Sequence, residues 1–399
     1  MSPRPRAVVA CPSLPLPPVS GGRKRALRLI EAIDRAGARP HVLAHAGTVE
    51  QIEALRERGW EAEVIPHGRS PLTPLRRIRQ DALGEPEPHL RAMAARIAEL
   101  SRWAVIAQME EAWLEQYVRV LPVRRKLLRV ASPHNADAEM LGAFAESAAQ
   151  RDDGREALRL RVRSSRMRRT ERRAVRGADL TITVSGHDDA YFRCLGARGT
   201  LLVPNGVDDD LFDVAPASGE PGRVLFFGAY HWAPNRDGLV RFLRDGWAAV
   251  ASAHPSARLR VAGSGDLAPI RAAAAGLEGV EVAGLVDDIA AEIAAAQVVV
   301  VPVWGGGGTR IKVLEAMAAA RPIVGTAVGV ERIGFSDGRH GLVRESPADL
   351  AAGIVELLGA PGRAVALGTA AREQVRGFGW TTLTGPLEAR YRQAVEAVR

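Results

Sequence analysis

The stretch VVVVPVWGGGGTRIKVLEAM, positions 298–317, sets the residues best suited to chemistry directly after a fully apolar run. A strand, four consecutive glycines at 305–308 that include Gly307 and Gly308, and Thr309 opening a helix together make a phosphate cradle. Glycines let the backbone approach a diphosphate closely, free N–H groups at the helix start face it, and the helix dipole favours its negative charge. Arg310 or Lys312 adds a charge-assisted contact. Residues two apart on a helix point to different sides, so one of the pair reaches a given phosphate. Glu315 falls at the edge of the Ile311, Leu314 and Ala318 stripe that packs on the sheet. A carboxylate buried there needs a lysine or a ligand hydroxyl to satisfy it, and ribose hydroxyls are what acidic residues hold in dinucleotide enzymes. The plainer alternative for Glu315 is a surface residue paired with Lys312 at i, i+3.

The elements that must position these residues alternate between strand-like and helix-like patterns, which predicts an α/β fold of parallel sheets covered by helices. In the first half, RAVVAC (6–11), PHVLAHA (40–46), WAVIAQM (103–109), LLRVAS (127–132), LTITVS (180–185) and TLLVPN (200–205) read as buried strands. In the second, RVLFFGA (223–229), ARLRVAG (257–263), VEVAGL (280–285), VVVVPV (298–303) and PIVGTA (322–327) do so. The Pro, Gly and Ala-rich segment 213–222 separates the two alternations and is expected to be the linker. The expected organisation is therefore a Rossmann-like domain at 1–212, a second at 223–380, and a helix at 381–399 that packs on either one.

Length and composition agree with that plan. A chain of 399 residues exceeds one ordinary core, and 47% hydrophobic with 25% charged residues excludes disorder, collagen and coiled coil. Cys11 and Cys194 lack metal or redox spacing, so no metal site and a reducing cytoplasm are expected. Pro12, Pro15, Pro17 and Pro18 interrupt any signal-like apolar run, and nothing reaches the ~18 apolar residues of a membrane span. The net charge of +8 is partly local: eleven arginines fall in one helical stretch, the first Arg151 and the last Arg176. That stretch reads either as a solvated helix face or as a surface for an anionic partner.

Five motifs in order, GAYHWAPNRDG (228–238), LRVAGSG (259–265), GLVDD (284–288), PVWGGGGTRIKVLEAMA (302–318) and RPIVGT (321–326), resemble the donor domain of family 4 glycosyltransferases. PPVSGGRKR (17–25), PHN (133–135), TVSGHD (183–188) and VPNGVD (203–208) extend the resemblance more loosely over the first half. It implies a GT-B fold, two Rossmann-like doubly wound domains facing each other across a cleft. It also implies that Gly21 and Gly22 approach the donor diphosphate, that His134 sits near the transferred sugar, and that Gly284, Leu285 and Val286 pass along the base. Gly307, Gly308, Thr309, Arg310, Lys312 and Glu315 then complete the diphosphate and ribose contacts, while Asn205 marks the hinge region. Two departures stand out. The first of two glutamates common in the family falls on Gly307, and the usual Gly-Arg and Lys clamp is replaced by Gly228-Ala229 and Pro234-Asn235. The missing clamp shifts weight onto Arg310 and Lys312.

What the resemblance implies is a cytoplasmic bacterial enzyme that moves a sugar from a nucleotide-diphosphate sugar, its co-substrate, to a glycan, lipid-linked or small-metabolite acceptor. Retention, metal independence and the absence of any other cofactor come with it. His134, Arg310 and Lys312 are the expected catalytic residues. The acceptor is not specified, and the Pro and Arg-rich segment 67–90 is where its selection is expected to lie. Two other classes remain: a sugar-nucleotide epimerase on the same fold, and a non-enzymatic basic protein of nucleic-acid or membrane surfaces. Nucleic-acid binding is not expected, whereas the arginine stretch suits a peripheral contact at the inner face of an anionic membrane.

Overall fold

The computed structural model describes residues 4–18, 20–66, 91–111, 114–118, 120–122, 126–150, 153–216, 219–305, 311–331 and 333–398. Segment 67–90 therefore lies outside the described residues, as do 306–310 of the glycine loop.

Two compact units divide the chain, one formed by Met1–Pro204 with Thr384–Arg399 and the other by Asn205–Leu383. The first holds a seven-stranded sheet in the order β3-β2-β1-β4-β5-β6-β7. Its strands are β1 (Arg6–Ser13), β2 (Arg39–Ala46), β3 (Glu61–Val64), β4 (Ala104–Glu110), β5 (Leu128–Ser132), β6 (Leu180–Thr183) and β7 (Thr200–Leu202). All pairings are parallel, with Val8 opposite His41 and Glu110 opposite Ser132. The second unit holds six parallel strands in the order β10-β9-β8-β11-β12-β13. These are β8 (Arg223–Ala229), β9 (Arg258–Ser264), β10 (Val280–Gly284), β11 (Val298–Val301), β12 (Ile323–Gly325) and β13 (Gly341–Val343).

Strand composition explains the layers. In β8 the two-residue period sends Val224 and Phe226 into one core with Phe242 and Trp247, while Leu225 and Phe227 enter another with Leu314 and Met317. Both faces are thus buried, as a helix-covered parallel sheet requires. The helix Pro347–Leu358 begins with a capping box between Ser346 and Asp349 and with Pro347 in its first turn, where a missing N–H costs nothing. Among the described residues no single helix is long and apolar enough to cross a membrane. Trp247 is fully buried, and its Nε1 donates to the Glu278 carbonyl at 2.7 Å. Trp247→Ala is expected to lower the stability of the second unit by about 3–5 kcal/mol, read as a drop in its denaturant midpoint.

The division falls earlier than the expected linker at 213–222. Val207 and Leu211 are buried in the second unit's core, Val207 bridges to Gly379, and the guanidinium groups of Arg321 and Arg372 donate to the Ala215 and Val214 carbonyls. A Pro and Gly-rich composition marks irregular backbone, and irregular backbone can be strapped to a core by arginine hydrogen bonds, here from buried Arg321 and half-buried Arg372. The helix Trp380–Glu396 carries Thr384 and Tyr391 into the first unit, where Arg35 donates to Thr384 at 2.8 Å. Strands β3 and β13 show no strand pattern in the sequence: β3 is EAEV, whose charged alternate positions hide its apolar face, and β13 is three residues long.

Candidate active site

Both sheets run outward from their centres in the 3-2-1-4 order of doubly wound folds, and ligands in such sheets sit beyond the carboxyl ends of strands 1 and 4. Within each unit the chemistry-bearing side chains gather at that place.

In the second unit the strands concerned are β8 and β11. The helix Ile311–Ala318, which follows β11, buries Val313, Leu314 and Met317 and so fixes which way Lys312 leaves the helix. The Lys312 ammonium donates to Asn235 Oδ1 at 2.6 Å and lies 4.4 Å from the centroid of Phe226. Asn235 is itself held by donating to the Ala229 carbonyl at 3.0 Å. A Cβ placed on Gly228 would meet Lys312 Nζ at 3.0 Å and Asn235 Nδ2 at 2.9 Å, so glycine keeps this corner open. The departure noted in the sequence thus has a structural counterpart: Asn235, in the segment that lacks the usual lysine, holds Lys312 against the end of β8. Gly263, with φ +135°, allows β9 to approach so closely that a Cβ would lie 1.8 Å from the Gly228 carbonyl.

Glu315 is 95% buried, on the same helix, which sets aside the alternative of a surface residue. Gly284 ends β10 in the left-handed region at φ +76°, Leu285 next to it is 65% exposed, and Val286 packs against the core. Gly307, Gly308, Thr309 and Arg310 lie outside the described residues. Asn205 is the first residue of this unit.

In the first unit the strands are β1 and β4, joined by the end of β5. Gly21 and Gly22 open the helix Gly21–Arg35, capped by Ser20, whose hydroxyl accepts from the Arg23 N–H at 3.4 Å. A Cβ on Gly22 would lie 3.4 Å from His134 Nδ1, so the glycine loop and the histidine are brought together. Two carboxylates unnoticed in the sequence flank that ring. Glu110, at the end of β4 and fully buried, faces His134 Nε2 at 2.8 Å, and Glu111 Oε1 is 3.3 Å from Nδ1. With an acceptor on each nitrogen both must donate, which the neutral imidazole cannot do. The ring is therefore an imidazolium: burial alone lowers its pKa, but the two carboxylates prevail and raise it to about 9. Glu111 is correspondingly lowered, against its own burial, by His134.

A buried polar chain supports the pair. Tyr391 donates to Gln108, Gln108 to Glu110 Oε1, and Ser132 to Glu110 Oε2 at 3.1 Å. Buried Arg25 donates to the Val203 carbonyl at 2.8 Å, its pKa lowered to about 10 by burial. Asp137, at the start of the helix Asp137–Gln150, is raised to about 6 by burial and by the Glu111 charge. Glu111 has φ +87°, an unusual conformation for a side chain with Cβ and one that clusters at functional sites. The adjacent Cys11 is no nucleophile, because burial first and then Glu110 and Glu111 hold its thiol well above the ordinary range.

The arrangement offers a fixed cation, His134, whose Glu111 partner is the longer contact and 29% exposed. A sugar hydroxyl can replace Glu111 at Nδ1, while Glu111 and Asp137 accept from neighbouring hydroxyls. The sequence signal that could have found these groups is the Glu110-Glu111 pair directly after an apolar strand, at its carboxyl end.

The chain matches the model of Glycosyltransferase Family 4 over residues 19–211 and that of Glycosyl transferases group 1 over residues 221–360. It is 32% identical over 194 residues to a phosphatidyl-myo-inositol mannosyltransferase of Mycobacterium leprae, covering 46% of this chain and 51% of that protein. The chain thus spans about half the length of the curated relatives it matches. Among solved structures, Anabaena HepE in complex with UDP and glucose superimposes with TM-score 0.67 at 16% identity, over 97% of this chain and 99% of that one. WaaG, a glycosyltransferase involved in lipopolysaccharide biosynthesis, does so with TM-score 0.63 at 17% identity, over 98% and 99%. The fold is GT-B, and its two units carry glycosyltransferase domains.

Proposed function

We propose that this chain, pairing a Glycosyltransferase Family 4 domain with a glycosyl transferases group 1 domain, transfers a sugar from a nucleoside diphosphate sugar to an acceptor hydroxyl. The observation that carries the reading is the Lys312 ammonium held by Asn235 beside Gly228, at the carboxyl ends of β8 and β11. A cation preset at that point, next to a helix start, stabilises the charge that grows on a departing diphosphate. Arg310 and the backbone of Gly307, Gly308 and Thr309 share that work, Glu315 takes the ribose hydroxyls, and the backbone from Gly284 through Leu285 to Val286 borders the base. In the first unit Gly21, Gly22 and His134 serve the sugar and its acceptor. The transfer proceeds with retention and without a metal, the leaving phosphate taking the acceptor's proton.

Anabaena HepE, solved in complex with UDP and glucose, supports a nucleotide sugar as the donor, and the phosphatidyl-myo-inositol mannosyltransferase relatives support an acceptor carried on a lipid. A cytoplasmic protein resting on the inner face of an anionic membrane through the arginine stretch fits that acceptor. The test is a thermal-shift series with UDP, GDP, dTDP and ADP, since a ligand bound only by the folded state raises stability by ~2.7 kcal/mol at a hundred times its Kd. One diphosphate series should raise Tm in the wild type and not in Glu315→Ala; no shift with any of them would count against the donor site.

A further inference from the structure

The helix Gly154–Gly177 buries Ala157, Leu160, Glu171, Ala174 and Val175 along one side. Its opposite side runs Leu158, Val162, Ser165, Arg169, Arg172, a succession of three- and four-residue steps that keeps to one stripe. Leu158 is 63% exposed and Val162 45% exposed, so the stripe begins apolar and ends in arginines. At the arginine end an open pocket of about 430 Å³ is lined by Ser165, Arg168, Arg169, Arg172, Cys194 and Leu195. Among the described residues no carboxylate forms an ion pair with Arg168, Arg169 or Arg172, although Glu171 stands between them in sequence. Glu171 turns inward and accepts from Tyr191 and from the Ala138 N–H at 3.0 Å.

Three guanidinium groups within one turn repel one another, and the nearest carboxylate is turned to the core. Such a site is complementary to an oxyanion with several acceptor oxygens, which guanidinium forks bind in pairs. We propose that this pocket binds a phosphate group, and that the phosphate is a phospholipid headgroup with Leu158 and Val162 facing the acyl boundary beside it. A helix of this kind lies in the membrane interface, its apolar side chains at the lipid boundary and its arginines among the phosphates. The site deepens the membrane contact proposed above for the arginine stretch and rests on that reading, while its binding is measured without sugar transfer.

The experiment compares the wild type with two charge-matched triple variants, Arg168→Gln, Arg169→Gln, Arg172→Gln in the pocket and Arg159→Gln, Arg163→Gln, Arg166→Gln on another side of the helix. Inorganic pyrophosphate binding is followed by calorimetry with Lys312→Met added to each protein, so that the proposed donor site does not contribute, and vesicle binding by co-sedimentation with phosphatidylcholine alone or mixed with phosphatidylglycerol. Circular dichroism confirms that all three proteins are folded. The pocket variant should lose pyrophosphate binding and bind the anionic vesicles about tenfold more weakly, while the other variant falls much less. Pyrophosphate binding lost only in the pocket variant, with no vesicle binding by any protein, would keep the phosphate site and assign it to a soluble anion. Equal weakening in both variants, or no binding of either probe by the wild type, would overturn the site.

Discussion

Lys312→Met should lower kcat/KM for sugar transfer by about 10²- to 10³-fold, the range found when one preset electrostatic donor is removed from a developing oxyanion. Methionine keeps the apolar stem over Phe226 and removes only the ammonium, so the loss reports charge and not packing. Asn235→Ala should produce a smaller loss of the same kind, because it frees the ammonium that Asn235 now holds at 2.6 Å. Steady-state kinetics with the donor identified by thermal shift would decide it. A Lys312→Met enzyme within a few fold of wild type would show that the diphosphate is stabilised elsewhere.

The second large effect belongs to His134. Removing it, as His134→Ala, should cost about a hundredfold in kcat/KM. The pH dependence carries more information. With a folded pKa of about 9 against an ordinary 6.5, activity that needs the imidazolium persists through neutrality and falls as pH rises through about 9. Glu110→Gln removes one of the two charges that sustain it, so that alkaline limb should move toward the ordinary value. The sign for stability follows from the same shift. The folded state binds the proton more tightly, so the contribution is complete below pH 6.5, shrinks between 6.5 and about 9, and is absent above. Its size is on the order of 3 kcal/mol. Denaturant midpoints of wild type and His134→Gln should therefore converge as pH is raised from 6 toward 10. A gap that does not change with pH would mean that His134 is neutral in the folded protein.

Much of the fold was legible because buried parallel strands write themselves as apolar runs. Val298 to Val301 could hardly be anything else, and the step from that run into the glycines is what points to the proposed donor half-site. Glu315 was legible for a related reason: its place on the packing edge of an amphipathic helix raised the question of burial, and the structure buries it. What stayed hidden are relations across the sheet. That Glu110 faces His134 depends on β4 lying beside β5, with Glu110 opposite Ser132, which no local pattern states. The Tyr391 contribution was out of reach for the same reason, since 283 positions separate it from Gln108. The compact units divide at Asn205, ahead of the expected linker at 213–222, because composition identifies irregular backbone and is silent on the arginines that fasten it.

The proposed transfer couples bond cleavage in a nucleotide sugar to formation of a new glycosidic bond. Its most direct test supplies purified protein with radiolabelled nucleotide sugars and a total lipid and polysaccharide extract, and follows free nucleoside diphosphate and extract-bound label together. Both should appear in equal amounts, only when donor and extract are present, and both should be lost in Lys312→Met. Nucleotide binding without release of diphosphate, or release without transfer of label, would contradict it.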